Sequence, residues 1–475
     1  MRESPFFRLP RAIDAFLATP RSDLEGAEEL AQACRSIMTE CRAAWSAVLD
    51  RLETHGVSVD VVYRLELIDR CLRRIDLLLG LLVPQQPEEL AGKAARMLAV
   101  GLRERRRDRS LFDIVRTNTR LMARKIIERA GETGEHYITT TRREYLRMLY
   151  AAGGGGVLTA GTVMLKTYFT SLKRPPFQEG LLHSVNYAGG FMLMQILGFS
   201  LATKQSSVTA AALAGTIKKQ GDASELVTMI ARVTRSQLAA AFGNVALVIP
   251  SCLVVDLVWS KAYGKHFFTE EKAHHFLESI SATDANTAWS AALTGVLLWS
   301  SSLAAGWLEN WAVYRRLPEA IAENRIRLVV GSRVTKWASR VFARNIAGLG
   351  GNVTIGLLLG LTPIMGAFLG LPFDIRHITL STGSLTLSML STGTGPFGSH
   401  EVTTAMFGIL VIGAMNFGVS FTLALIVAMR AREVTFLQAA RMFGSLVAGF
   451  FKSPLRFFLP VEKLPAGAPA QTKAH

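Results

Sequence analysis

The chain has 475 residues, of which 49% are hydrophobic and 19% charged, and its mean hydropathy is +0.27. That balance is unusual for a soluble protein and ordinary for one that joins a soluble part to a membrane part. Residues 1–145 carry 25 Lys+Arg against 22 Asp+Glu, and the other 330 carry 28 against 15, so the basic excess flanks the apolar runs. This favours Lys/Arg that hold loops on the cytoplasmic side over a nucleic-acid surface.

The first 20 residues lack the continuous apolar core of a signal peptide, which predicts a cytoplasmic N-terminus. Pro5, Pro10 and Pro20 break any long helix there. Leu30, Cys34, Ile37, Met38, Cys41 and Trp45 recur at spacings of three and four, predicting a helix over Leu24–Thr54. A second helix is predicted over Val57–Val83, with Val61, Leu65, Ile68, Leu72, Ile75 and Leu79 on its stripe, and a third over Glu88–Arg107. These form a helical bundle whose charges are a solvated face or a surface for a cytoplasmic protein partner. Cys34, Cys41, Cys71 and Cys252 include no CxxC and read as reduced structural thiols.

Leu111–Arg129 is an amphipathic basic helix suited to an anionic membrane surface, with nucleic acid the weaker reading. Glu132, Glu135 and His136 form a weak metal-ligand pattern, with a capped helix start the stronger reading.

Six apolar segments then have the length of a bilayer span: Met148–Thr170, Gly180–Thr203, Gln237–Ser260, Ala288–Val313, the stretch from Asn345 and Thr403–Met429. The fifth is uncharged for 26 residues, Asn345 to Gly370, and ends in Asp374, Arg376 and His377. Ile378–Thr394 is short and rich in Ser, Thr and Gly, which suggests a re-entrant segment, a half-helix or a loop packed against the bundle. With six spans, loops 204–235, 314–344 and 430–475 share the side of the N-terminal domain and hold 20 Lys+Arg, against 6 in loops 171–179, 261–287 and 371–402. Seven spans would export the basic tail, so Ile378–Thr394 is taken as non-spanning and both termini as cytoplasmic.

Lys166, Asp256 and Glu309 are charges within or at the ends of spans, where snorkelling competes with a buried Lys166–Asp256 pair. Gly356/Gly360 and Gly366/Gly370 have the spacing of close helix contacts. Trp299, Trp307 and Trp311 read as interfacial anchors, and Phe436–Pro460 as an interfacial helix. The architecture is therefore all-α: a cytoplasmic helical domain (1–145), a polytopic transmembrane bundle of about six spans (146–430) and a cytoplasmic or interfacial tail (431–475).

Leu371–Gly383 (LPFDIRHITLSTG), with Asn118–Ile138, Leu181–Gln205, Gly351–Pro372 and Met415–Arg432, resembles the integral-membrane site-specific recombinase family of Gram-negative bacteria. The resemblance covers roughly residues 60–460 and implies DNA recombination. The residues do not carry that chemistry, since no His is followed three positions later by Arg and no serine-recombinase pattern is present. Nor is there HExxH, GxSxG, a Walker loop or GxGxxG, and no cofactor is implied. Three functions remain: small-solute transport or sensing in the bacterial inner membrane, a membrane scaffold for a cytoplasmic partner, and recombination. The polar site for the first is Asn352, Asp374, Arg376 and His377, with Asn186 and Asn416 from other spans. Membrane lipids are partners in every case.

Overall fold

The computed structural model describes residues 4–20, 23–55, 59–82, 138–201, 223–431 and 451–459, with isolated positions between 91 and 99, at 209–210, 444 and 448. Among the described residues all regular structure is helical, as thirteen α-helices and one 3-10 turn. The chain forms two compact units, Met1–Lys125 with Asn310–Ala320, and Ile126–Glu309 with Ile321–His475.

In the first unit, α1 (Pro5–Ala18), α2 (Leu24–His55) and α3 (Val59–Leu82) share one apolar core. Leu9 and Phe16, then Ala31, Cys34, Met38 and Cys41, then Leu72 and Leu79 bury together, following the predicted stripes. Burial pushes the Cys34 and Cys41 thiols up, as expected of inert packing groups. α1 continues through Pro10, so that proline costs one helix bond rather than ending the helix. Trp45 Nε1 donates to Leu65 O at 2.9 Å and ties α2 to α3. The expected helices at Glu88–Arg107 and Leu111–Arg129 lie outside the described residues. So does most of Phe436–Pro460, apart from the turn Pro454–Phe457.

The second unit is a bundle of long helices: α4 (Arg142–Ser171), α5 (Pro176–Ile196), α6 (Ala223–Tyr263), α8 (Ala285–Tyr314), α11 (Ser332–Leu369) and α13 (His400–Ala431). Shorter helices join them: α7 (Glu270–Ser279), α10 (Arg327–Val330) and α12 (Ile378–Ser391); the end of α8 from Asn310 and the start of α9 (Leu317–Glu323) belong to the first unit. A capping box at Thr141 and Glu144 starts α4. Five helices are long and apolar enough to cross a membrane: α4, α6, α8, α11 and α13. The sixth expected span, Gly180–Thr203, is the helix α5, which begins earlier and ends at Ile196; it is not among the five. Gln178, Glu179, His183 and Asn186 dilute its apolarity.

Geometry nonetheless makes α5 a full return stroke. Thr139 meets Ser236, Ala152 meets Asn244 and Gly156 meets Val248, so α4 and α6 run in the same direction. The chain must come back between them. α5 does so along α11: Gly180 faces Gly360 and Ile364, Ala188 faces Gly356, and Gln195 faces Gly348. A Cβ on Gly356 would stand 2.4 Å from Ala188 N, and one on Gly360 2.4 Å from Ser184 N. Gly356/Gly360 is thus a backbone-contact motif, answered by Gly180, Ser184 and Ala188. Gly366/Gly370 is not: Gly366 packs on Phe373 of its own following segment, and Gly370, at φ 65°, closes α11 in the left-handed conformation.

The surface of this bundle is inverted relative to a soluble protein. Val185, Phe242, Val254, Leu257, Phe368 and Leu410 are exposed, while Ser184, Asn244, Thr294, Asn352 and Asn416 are buried. A belt of this kind suits lipid. Trp307 and Trp311 are exposed near the end of α8, but Trp299 lies mid-helix with its Nε1 buried, so it is not an end anchor.

Candidate functional site

The uncharged part of α11, from Asn345, ends at Gly370, and the chain does not leave the bundle there. Residues 371–377 have no helical turn and run back between the helices. Arg376 N donates to Thr294 Oγ1 at 2.9 Å, nine residues inside α8, which is about 14 Å at 1.5 Å per residue. Ile378 N donates to Asn416 Oδ1 at 3.0 Å, halfway along α13. α12 then runs outward again beside α13, with Ile378 against Gly413 and Leu385 and Met389 in one cluster with Val402, Met406 and Ile409. This is an extended chain in and a 14-residue helix out. The re-entrant half-helix that the Ser/Thr-rich composition suggested is therefore the fold's central element.

Its burial explains its composition. Thr379, Ser381, Thr382, Thr386, Ser388 and Ser391 are all buried. Thr382, Thr386 and Ser391 return their hydroxyls to the carbonyl four residues back at 2.9 Å. Such short hydroxyl side chains satisfy themselves locally and let neighbours close in. Gly383 lets Val163, Val248 and Cys252 approach to within 3.2–3.3 Å of where its Cβ would stand. Thr379 Oγ1 and Ser388 Oγ are buried with no hydrogen-bond partner among the described residues.

The side chains at the bend are held from several elements. Asn416 Nδ2 donates to Arg376 O at 2.8 Å and to Ala291 O at 2.9 Å. The Arg376 guanidinium lies 2.5 Å from Asp374 Oδ2 and donates to Ile375 O and Ser279 O at 3.2 and 3.3 Å, while its Nε is buried without a partner. His377 is 1% exposed and occupies the N-cap of α12. An open cavity of about 400 Å³ leads to Arg376, lined among others by Ser279, Asp284, Ser290, Pro363, Phe373 and Asp374. A solute here would meet one guanidinium and two carboxylates, which suits a small polar or zwitterionic molecule.

The structure thus joins Asp374, Arg376, His377 and Asn416 and places the other two asparagines elsewhere. Asn352 donates to Phe191 O at 3.0 Å and Gln195 Oε1 at 2.6 Å. Asn186 donates to Thr162 O at 2.9 Å. Both fasten neighbouring helices, as does Asn244, whose Nδ2 reaches Ala152 O and Ser200 O. Asp256 does not pair with Lys166: its carboxylate is 2.7 Å from His266 Nδ1 and accepts from Phe267 N at 2.8 Å. Lys166 is half-buried near the end of α4, and Glu309 half-buried in the last turns of α8. Glu132, Glu135 and His136 lie outside the described residues, and no group of three metal-ligating side chains occurs among those described. Sequence reasoning missed Thr294, Ser279 and Ser290, whose only signal is a polar residue on an apolar helix or beside one.

The profile of a family described as site-specific recombinase matches residues 1–460, a longer span than the resemblance read from the motif blocks. No curated protein and no solved structure matches the chain.

Proposed function

The chain belongs to the site-specific recombinase family, and we propose that it is a multipass bacterial inner-membrane protein that transports or senses a small polar solute. The observation that carries this reading is the re-entrant segment, which brings irregular backbone and Arg376 to membrane depth at an open cavity, with two unpartnered hydroxyls in the half-helix that follows. Non-helical backbone at that depth is sustained where it is buried in protein or lines a polar path, the arrangement of carriers built on broken helices. The five apolar helices with α5 give six crossings. On this reading the excess of Lys/Arg in one set of loops supports cytoplasmic termini and a cavity mouth on the outer side.

Recombination remains the family's description; the catalytic pattern for it is missing from this sequence. The scaffold reading gives the re-entrant segment no task and puts function in residues 1–110. Cysteine accessibility separates these alternatives. Cysteine is placed at Thr379 or Ser388 in a chain freed of its four native cysteines, and a membrane-impermeant thiol reagent is applied to vesicles of each orientation. A transporter exposes these positions to both sides in turn, and a sensor exposes them to one. Protection from both sides, with normal insertion, sinks the solute reading. The scaffold gains if deleting residues 1–110 then abolishes the cellular phenotype while Arg376→Ala leaves it intact.

A further inference from the structure

Away from the re-entrant segment, three helices bring basic side chains together at the end of the bundle where α4 stops and α5 starts. Lys166 comes from the last turns of α4, Glu179 and His183 from the first turns of α5, and Lys272 from α7. His183 Nε2 lies 3.2 Å from Thr170 Oγ1 and 3.7 Å from Glu179 Oε1, and the Glu179 carboxylate also acts on Lys272, so two lysines share one carboxylate and leave an excess positive charge. Lys272 Nζ stands 4.6 Å from the centroid of the Phe268 ring. Both lysines are half-buried, and neither forms an ion pair or side-chain hydrogen bond among the described residues. Phe268, beneath Lys272, packs in the same buried cluster as Val163 of α4 and Tyr187 of α5, which brings the two lysines to one end of the bundle.

Two half-buried cations near each other repel and have lost part of their hydration. Burial and the Lys166 charge push Lys272 down to about 8. A resident anion would offset both costs. The location says which kind. The cluster lies at the ends of long helices, where lysines reach toward headgroups. Beside it, Leu165 and Leu181 are exposed on the same two helices, as a surface for acyl chains.

We infer that Lys166, Lys272 and His183 form a binding site for a phosphate group, carried by an anionic phospholipid headgroup or free in solution. The site is separate from the cavity at Arg376 and rests only on the membrane reading of the bundle. The test compares the full chain with its Lys166→Gln/Lys272→Gln variant in nanodiscs of phosphatidylcholine alone, or of phosphatidylcholine and phosphatidylglycerol in equal parts. Native mass spectrometry counts retained phosphatidylglycerol, and thermal shift in neutral detergent follows added inorganic phosphate. The wild type is expected to retain phosphatidylglycerol that the variant loses, affinity falling about fivefold per lysine. Saturable stabilisation by inorganic phosphate in the wild type alone would identify the free anion as ligand. Equal retention and equal phosphate response in the two proteins overturn the site. The variant should also melt at or above the wild type in pure phosphatidylcholine, because the repulsion is gone; a lower melting point there overturns the inference too.

Discussion

Replacing Asn416 with Leu keeps the side-chain size and removes the three hydrogen bonds that Asn416 makes at the re-entrant bend, leaving those from Arg376 to Thr294 and Ser279. Asn416 is fully buried and makes three such bonds, donating to Ala291 O and Arg376 O and accepting from Ile378 N. Ala291 O keeps its place in α8, but Arg376 O and Ile378 N belong to backbone that loses this partner. Orphaned buried polar groups cost about 1–3 kcal/mol each. Interhelical bonds in membranes average only ~0.6 kcal/mol, which sets a floor near 2 kcal/mol for three of them. The expected loss is therefore about 2–5 kcal/mol. Asn186→Leu is the internal comparison: it removes one bond, to Thr162 O, and should cost about 1 kcal/mol or less. Reversible unfolding in mixed micelles measures both. If Asn416→Leu costs no more than Asn186→Leu, the bend is not held as described and the argument from it fails.

Four further outcomes are expected. Gly360→Ala puts a Cβ 2.4 Å from Ser184 N and must part α5 from α11, costing roughly 2–4 kcal/mol in the same assay. Gly161→Ala, with open space around it, should be neutral or slightly stabilising. Exchanging Lys166 and Asp256 is expected not to rescue either single variant, since Asp256 is held by His266 and Phe267; rescue in a growth or unfolding assay would refute that pairing. Lys272 is pushed from the ordinary 10.5 to about 8 by burial first and by Lys166 second, with Glu179 opposing. The folded state therefore holds fewer protons between those values, and stability rises with pH from about 8 to 10.5. In anion-free neutral detergent, Lys272→Met should melt above the wild type near neutral pH, with the gap closing as pH passes 10. A gap that stays constant would show that Lys272 titrates as usual.

Much of the architecture could be read along the chain. The stripes at Cys34, Met38 and Cys41 and at Leu72 and Leu79 are the first unit's core. Five uncharged or nearly uncharged runs became the five helices long and apolar enough to cross a membrane, with ends shifted by a few residues or extended into amphipathic turns. These features are local: helical period, charge and length each report on neighbours in sequence. Part of the site was legible too, because Asp374, Arg376 and His377 stand out against 26 uncharged residues.

Other features depended on pairings that no local pattern specifies. Composition gave the six asparagine and charged candidates equal standing, yet Asn186 and Asn352 fasten helix pairs while Asn416 holds the bend. The two glycine pairs have identical spacing, but one faces the backbone of α5 and the other a turn of its own chain. The sequence by itself determined that this protein is helical, basic beside its apolar runs, and built to bury small polar residues behind an apolar surface. Only the tertiary structure decided that Ile378–Ser391 is a half-helix rising from the middle of the bundle. That outcome depends on Thr294, Arg376 and Asn416 meeting, and residues 82 and 40 positions apart in sequence find each other through packing, not through period.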